Sequence, residues 1–184
     1  MEIDLTPTPE LSPAERQELA QLNLRVHGPR QARQDPAARL VFGGYEDTLY
    51  AVRVRLDSVL VSCLFLAERH MLVDGQPTLV GGIRGVLTHP DYRRRGFARV
   101  AMQRGQQAIW HAVRPHLALL LSSEMAVPLY QGLGWQVFTG PVLCQQPAGV
   151  IDWTKLMPRD PPMLQLPPGI QRELATIDMC GLPW

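Results

Sequence analysis

The chain has 184 residues, of which 46% are hydrophobic and 19% charged, and its formal net charge is +1. This length suits one domain with a buried core and is short for two, and a charge near zero gives no general attraction to nucleic acid. The longest purely apolar run, Leu117–Leu121, is far shorter than the ~20 residues that a membrane-spanning helix needs, so we expect no membrane partner.

The first clear element is a helix that begins after Ser12 and follows a short predicted strand at 2–5. Ser12 is a good N-cap, Pro13 suits the first helical position, and Glu15 completes a capping box. The spacing of the apolar residues that follow predicts a helix to about His27. These apolar residues are Leu19, Leu22 and Val26.

After this helix, the pattern of apolar residues changes to one that is typical of β-strands. Four segments rich in β-branched and apolar residues follow, and two turns with hairpin chemistry, Asp57-Ser58 and Asp74-Gly75, separate them into pairs. The predicted strands are 49–55, 59–66, 69–73 and 78–88. We therefore expect an antiparallel meander whose last strand leads to Pro90.

A basic loop follows this strand and leads into the next helix. Pro90 breaks the strand, arginines occupy 93–95, and Gly96 precedes the helix. A helix start attracts anions because its first N–H groups lack acceptors and carry the positive end of the dipole. Glycine at 96 and the small Ala98 let a ligand approach the backbone, and arginine forks suit phosphate oxygens. The loop is a candidate phosphate site; a solvated basic surface is the alternative.

A long helix, a buried strand and a short helix come next. The long helix carries a stripe of small apolar residues suited to close packing on a sheet, and it ends at Pro115. Every residue of Leu117–Leu121 is apolar, as expected of a strand that is buried on both faces. The short helix carries Tyr130 near its end, and Gly134 leads from it to a final strand.

Two of these segments resemble signatures of the GCN5-related N-acetyltransferases (GNAT). Arg93, Gly96 and Ala98 fill the three defined places of the family's acyl-CoA pattern, which is Arg or Gln-x-x-Gly-x-Gly or Ala. The Leu-Tyr pair that ends at Tyr130, followed after three residues by Gly-Trp, resembles the family's other common segment. The resemblance covers about residues 48–140.

The resemblance implies a mixed α/β (α+β) fold and one N-acetyltransferase domain over 1–184. Its centre would be a mostly antiparallel sheet with a splayed pair of parallel strands, flanked by helices. The region 28–46, in which the sequence predicts a weak helix at 35–42, would help to wall the acceptor site. Residues 141–184 would be a proline-rich C-terminal extension.

The resemblance also implies acetyl-CoA as the co-substrate, without a metal. The loop would grip the pyrophosphate, while the main chain of the preceding strand would pair with the pantetheine amides and hold the thioester carbonyl. The residues assigned to acetyl-CoA are Val86, Leu87, Thr88, Arg93, Arg94, Arg95, Gly96, Phe97, Ala98 and Ser123.

Direct transfer to an amine needs a base and a group at the leaving sulfur. A lysine-like ammonium with a pKa of ~10.4 must first lose a proton. We predict that Tyr130 hydrogen-bonds the sulfur, because a thiolate of pKa ~8.5 is a weaker base than a tyrosinate of ~10 and full proton transfer is uphill. A partly buried core tyrosine is the alternative. Glu124 is the preferred base, and Glu68, Glu46 and His89 are alternatives by residue type; each of the four also suits a surface or turn position.

A thinner resemblance, to the aminoglycoside 2′-N-acetyltransferase branch, concerns the acceptor. It rests on overall length, the Gly-Val entry into the signature strand and the final Trp, and it implies acceptor contacts from Arg84 and Trp184. Arg84 stands where that branch has an acid, and Leu182-Pro183 where it has an Asp. A cationic aminoglycoside would meet a positive charge. Arg84 therefore predicts an acceptor with a carboxylate or phosphate, provided that it faces the site; an outward strand arginine is the alternative.

The function expected from these features is acetyl transfer to the primary amine of a small molecule by a monomer or homodimer. The alternatives are a protein or peptide N-acetyltransferase and a non-catalytic acyl-CoA-binding module. Three widely spaced cysteines favour a reducing compartment, and the acidic start of the sequence lacks a signal-peptide pattern, so we expect a cytoplasmic location. In the C-terminal extension we predict mainly extended loops, with short strands near 150–156 and 163–166.

Overall fold

The computed structural model describes residues 1–28 and 48–184. The helix predicted at 35–42 and the alternative base Glu46 lie outside these residues, as does nearly all of the predicted acceptor wall. The described chain forms two compact units. The first contains 1–28, 48–67 and 83–108, and the second contains 68–82 and 109–184.

The described residues form ten strands and four α-helices. The strands are β1 (Glu2–Pro7), β2 (Thr48–Leu56), β3 (Val59–Val73), β4 (Gln76–Thr88), β5 (Leu117–Leu121), β6 (Gln136–Val137), β7 (Val142–Gln146), β8 (Gly149–Asp152), β9 (Pro162–Gln165) and β10 (Ile177–Asp178). The helices are α1 (Pro13–His27), α2 (Phe97–Ala108), α3 (Val127–Gln131) and α4 (Trp153–Leu156). A π-helical turn, Ile109–Val113, continues α2.

Helix α1 begins and ends where its sequence predicts. The Ser12 N–H donates to Glu15 Oε2 at 2.8 Å and the Glu15 N–H donates to Ser12 Oγ at 3.3 Å, which closes the predicted capping box. Pro13 is the first helical residue and His27 the last. The apolar face of α1 packs on strands of the first unit. The buried residues of this cluster are Leu11, Leu19, Leu22, Ala51, Leu60, Cys63, Phe65 and Leu87.

A buried guanidinium joins β1, α1 and β2. The Arg53 side chain donates to Asp4 Oδ1 at 2.8 Å, to Thr6 Oγ1 at 3.1 Å and to the carboxylate of Glu15. The Ser12 N–H and then Arg53 lower the pKa of Glu15 to about 2. Two carboxylates therefore balance the charge of Arg53 and fix α1 to the first two strands.

The predicted antiparallel meander is present, with β3 as one long strand. The segments predicted at 59–66 and 69–73 join without a break into β3. Both predicted turns have the left-handed backbone that two-residue hairpin loops require. Their φ angles are 49° at Asp57, 66° at Ser58, 51° at Asp74 and 74° at Gly75.

Helix α2 packs on β3 through its small-residue face. A Cβ added to Gly105 would lie 3.0 Å from Leu64 Cδ1 and 3.5 Å from Leu66 Cδ2, so the glycine permits close packing. These leucines alternate along β3 with Cys63 and Phe65, which belong to the cluster under α1. Because successive strand residues face opposite sides, α1 and α2 cover opposite faces of β3.

In the second unit, β4 and β5 pair in parallel over 80–82 and 117–119. This short pairing agrees with the predicted splayed parallel pair. Strand β5 also pairs antiparallel with β9, and β9 with β6. At the other side of β3, β10 pairs antiparallel with β3 and parallel with β7, which is antiparallel to β8.

The C-terminal extension is more regular than predicted, because it contributes β7, β8, β9 and β10 to the sheet. The strand predicted near 163–166 is confirmed as β9, Pro162–Gln165. The strand predicted at 150–156 is wrong in its second half. Strand β8 ends at Asp152, whose Oδ1 accepts the Thr154 N–H at 3.1 Å and so begins α4.

These elements confirm the predicted fold class, a mixed α+β fold in which helices flank a sheet of parallel and antiparallel strands. The strand order is β6-β9-β5-β4-β3-β10-β7-β8, with β2 paired to β3 and β1 paired to β2. In the part of the chain that the structure describes, no helix is both long and apolar enough to cross a membrane.

Candidate active site

Strand β4 contains a left-handed residue, Gly85, shortly before the basic loop. The φ angle of Gly85 is 58°, which L side chains rarely adopt. A Cβ at this position would also lie 3.1 Å from Phe65 Cδ2. Both the backbone angle and the neighbouring ring therefore favour glycine at position 85.

After Gly85, successive residues direct their main-chain N–H and C=O groups to opposite edges of the strand. The Leu87 C=O accepts the Ser62 hydroxyl at 2.7 Å, and the His89 N–H donates to the Val61 C=O at 2.9 Å. Residues 87 and 89 thus direct their main chain toward β3. Because successive strand residues alternate in this respect, residues 86 and 88 direct their N–H and C=O groups to the other edge.

The loop that follows combines a tight turn with two left-handed residues. Pro90–Tyr92 form a single 3-10 turn, after which Arg94 has φ 60° and Gly96 has φ 86°. Nothing lies within 4 Å of a Cβ added to Gly96, so the space in front of this residue is open. The first bond of α2 joins the Val100 N–H to the Gly96 C=O at 3.1 Å, so the N–H groups of residues 97 and 98 precede the helical ladder.

The three loop arginines are exposed, and they differ in how they are held. The Arg95 guanidinium lies 5.2 Å from the ring centre of Tyr92 and 5.4 Å from that of Phe97. Within residues 1–28 and 48–184, no hydrogen-bond or ion-pair partner is found for the side chains of Arg93 and Arg94. These two guanidinium groups and the start of α2 are the kinds of group that bind anions in proteins.

The other predicted loop residues have more closed surroundings. The Phe97 side chain is 7% exposed and its ring contacts Arg95, while its main-chain N–H lies at the helix start.

Leu87 is buried in the cluster under α1. Ala98 and Val86 are half-buried. Thr88 Oγ1 lies 3.1 Å from the Ser62 hydroxyl. The structure thus brings residues 86–98 together in the first unit.

Tyr130, in the second unit, is a buried phenol on α3. Its side chain is 6% exposed, and burial raises the pKa of Tyr130 to about 12. The Tyr130 C=O accepts the N–H groups of Leu133 at 2.9 Å and Trp135 at 3.1 Å, which fixes the end of α3. At neutral pH the phenol is therefore protonated and can act as a hydrogen-bond donor.

The candidate bases have different surroundings. Glu124 is exposed in the 3-10 turn between β5 and α3, directly after the exposed Ser123. The Ser123 C=O accepts the Ser122 hydroxyl at 2.8 Å and the Ala126 N–H at 2.9 Å. Glu68 is half-buried on β3, and His89 is 8% exposed with Arg25 Nη1 3.0 Å from its Nε2.

Trp184 packs against β4 in the second unit. A Cβ added to Gly82 would lie 2.5 Å from Trp184 Cζ3, so the indole occupies the side-chain position that glycine leaves empty. The Arg69 guanidinium lies 5.4 Å from the ring and donates to the Leu182 C=O at 2.8 Å. Trp184 Nε1 is buried and has no hydrogen-bond partner in the described chain. Arg84 is half-buried on β4 and has an interaction partner.

Gly82 and Arg69 were not among the predicted site residues. Their signal in the sequence is weak, because a glycine pair in a strand and an arginine at a strand edge have many structural uses. Among the described residues, no group of three or more His, Cys, Asp or Glu side chains is placed to hold a metal ion.

A family model described as "Acetyltransferase (GNAT) domain" matches residues 17–138, about two thirds of the sequence. The chain therefore belongs to the GNAT acetyltransferase family, which makes acyl transfer its class of chemistry. The resemblance seen in the loop and in the segment around Tyr130 is confirmed at the level of the family.

Solved structures show the same fold at low identity. An acyl-CoA N-acyltransferase from Pseudomonas aeruginosa superposes with a TM-score of 0.62 at 18% identity, over 89% of this chain and 98% of that one. Escherichia coli ElaA gives 0.60 at 16% identity, with the same two coverages. A GNAT family acetyltransferase from Brucella melitensis, in complex with acetyl-CoA, gives 0.55 at 13% identity over 95% of both chains.

Proposed function

We propose that this protein is an acetyl-CoA-dependent N-acetyltransferase that transfers an acetyl group to the primary amine of a small molecule. The observation that carries the proposal is the loop at 93–98, where exposed arginines meet an open glycine and a helix start. The Brucella melitensis neighbour, solved in complex with acetyl-CoA, supports the choice of donor. One domain over 1–184 is part of the proposal.

Acetyl-CoA would be held by charged groups at its pyrophosphate and by main-chain groups along its pantetheine arm. Arg93, Arg94 and the N–H groups that open α2 would hold the pyrophosphate. The outward main-chain groups of Val86 and Thr88 would pair with the pantetheine amides as an added strand, and an N–H there would polarise the thioester carbonyl. This arrangement needs strand geometry rather than particular side chains.

At the leaving sulfur, Tyr130 would donate a hydrogen bond without giving up its proton. Burial raises its pKa to about 12, above the ~8.5 of a cysteine-like thiol in water, so complete proton transfer would be uphill. A buried neutral phenol can still stabilise developing negative charge on sulfur through a short hydrogen bond.

The acceptor ammonium must lose a proton before its nitrogen attacks the carbonyl carbon. We assign this step to Glu124, directly or through a water, because it is an exposed carboxylate that comes after β5 and before the helix of Tyr130. After attack, the tetrahedral intermediate collapses with loss of the CoA thiolate.

The acceptor side is assigned to Arg84 and Trp184. Arg84 would favour an acceptor with a carboxylate or phosphate beside its amine, rather than the polycation expected of the aminoglycoside 2′-N-acetyltransferase branch. The unpartnered Trp184 Nε1 would donate to an oxygen of the acceptor once the indole moves slightly.

A screen of acceptors tests the proposal. Release of free CoA thiol is followed with primary amines, amino acids, phosphorylated amines, aminoglycosides and peptides with free N-termini. The proposal expects release with a small anionic amine, and no release without an acceptor. Release with peptides alone would make the protein a peptide N-acetyltransferase, and tight acetyl-CoA binding with no release would make it an acyl-CoA-binding module.

A further inference from the structure

We propose that His89 is a positioning residue for the acyl-CoA loop and that it acts only as a neutral imidazole. This inference rests on the acyl-CoA role proposed for residues 93–98. His89 is the last residue before the 3-10 turn Pro90–Tyr92, and its N–H bond to the Val61 C=O fixes its main chain. Its ring is therefore placed to link the body of the first unit to the loop.

Both nitrogens of the His89 ring face hydrogen-bond donors. Arg25 Nη1 lies 3.0 Å from Nε2, and the Asp91 main-chain nitrogen lies 3.3 Å from Nδ1. A guanidinium has donors and no acceptor, so Nε2 needs a lone pair to bind Arg25. A neutral imidazole accepts at one nitrogen only, so a bond from Arg25 to Nε2 requires the tautomer with its proton on Nδ1, whereas an imidazolium accepts at neither nitrogen.

Protonation of the ring would therefore oppose the observed arrangement. It would set an imidazolium 3.0 Å from the Arg25 guanidinium. Among the described residues, the nearest recorded compensating charge is the Asp91 carboxylate, with Oδ2 at 3.9 Å from Nδ1 and a side chain that is 84% exposed. Water weakens such an exposed pair, so the carboxylate offsets little of the repulsion.

The surroundings of Arg25 make its contact with the ring specific. Arg25 and His89 line a cleft of about 270 Å³, which also contains Glu18 and Ser58. Glu18 accepts two hydrogen bonds from Arg55 and is therefore already paired. In the described residues Arg25 has no carboxylate partner. Among the described residues, the charged or titratable groups recorded in contact with the ring are Arg25 on α1 and Asp91 and Tyr92 in the turn, and Glu18 lines the same cleft.

Ring contacts continue from His89 to an arginine of the loop. The Tyr92 ring is edge-on to the His89 ring, with 5.3 Å between centroids. The Arg95 guanidinium lies 5.2 Å from the centre of the Tyr92 ring and 5.4 Å from that of the Phe97 ring. A change in the orientation of the His89 ring would shift the Tyr92 ring that contacts Arg95. The Arg95 guanidinium would then move as well, and its charge would be displaced from a bound phosphate.

The test measures the Kd of CoA by calorimetry from pH 5.5 to 8, where histidines ordinarily change charge. His89→Gln keeps a neutral acceptor for Arg25, whereas His89→Leu removes it. At pH 8 we expect H89Q to bind CoA within about twofold of the wild type and H89L about three- to tenfold more weakly, as for loss of one ordinary hydrogen bond. At pH 5.5 the wild type should bind more weakly than H89Q. Titration of the CoA phosphates affects binding to both proteins equally, so it cancels in the ratio of their Kd values.

The possible outcomes distinguish a failure of this inference from a failure of the proposed function. A wild-type protein that binds no CoA at any pH overturns the proposed function. A wild type that binds CoA, with a wild-type to H89Q ratio that does not change with pH, overturns only the role of His89. If H89L does not fold, Arg25→Gln replaces it. Removing that cation should reduce the dependence on pH, and an undiminished dependence would contradict the inference.

Discussion

Among single residues, Tyr130 has the most specific chemical assignment. Its burial and its pKa of about 12 favour a hydrogen-bond donor over a proton shuttle. We expect Tyr130→Phe to lower kcat by roughly 100-fold, the low end for loss of a hydrogen-bond donor to developing negative charge, and to leave the Kd of acetyl-CoA unchanged. The matched control is Tyr50→Phe on β2, which should retain both constants. Equal kcat values for Tyr130→Phe and wild type would contradict the role.

A second prediction at the residue scale concerns Gly82 and Trp184. A methyl group on Gly82 would lie 2.5 Å from the indole, so Gly82→Ala should displace the ring and lower the free energy of unfolding by about 1–3 kcal/mol. In a Trp184→Leu background the same change should cost much less, because the two residues share one space. Urea unfolding of the four proteins measures this difference, and additive costs would show that the indole does not press on Gly82.

At the scale of elements, the anchoring of α1 predicts a dependence of stability on pH. Folding lowers the pKa of Glu15 from 4.5 to about 2, so its contribution is present above pH 4.5 and is lost as the pH falls toward 2. Glu15→Gln should therefore destabilise the protein at pH 7 and flatten the loss of stability between pH 4.5 and 2. The control is Glu10→Gln, at an exposed glutamate. Parallel stability curves for wild type and Glu15→Gln would rule out this anchor.

Which elements the sequence predicts depends on how local their causes are. The ends of α1 and the two hairpin turns follow from neighbouring residues, through Ser12, Glu15 and the Asp-Gly pair, and all were predicted. The strand expected after Gly134 is present as the two residues of β6, whereas β10, also of two residues, was not predicted because distant strands pair to form it. The start of α4 depends on the Asp152 cap, which a strand-like run of apolar residues concealed.

At the scale of the whole molecule, the sequence predicts the family and the fold class, whereas the residues of the donor and acceptor sites stay predictions. The pattern of Arg93, Gly96 and Ala98 is compact, and the family and the fold are confirmed. The position of Trp184 against Gly82 could not be predicted, because a contact between residues about a hundred positions apart leaves no periodic signal. For the same reason the Arg25 contact with His89 is visible only in the structure.

The most direct test of the central claim is the affinity for acetyl-CoA, measured by calorimetry on the wild type and on the double variant Arg93→Gln/Arg94→Gln. Loss of two charge-assisted contacts should weaken binding by roughly 10- to 100-fold and reduce its dependence on salt. Arg159→Gln, at an exposed arginine outside the loop, should bind like the wild type. A wild type that does not bind acetyl-CoA, or a double variant with unchanged affinity, would contradict the assignment of this loop.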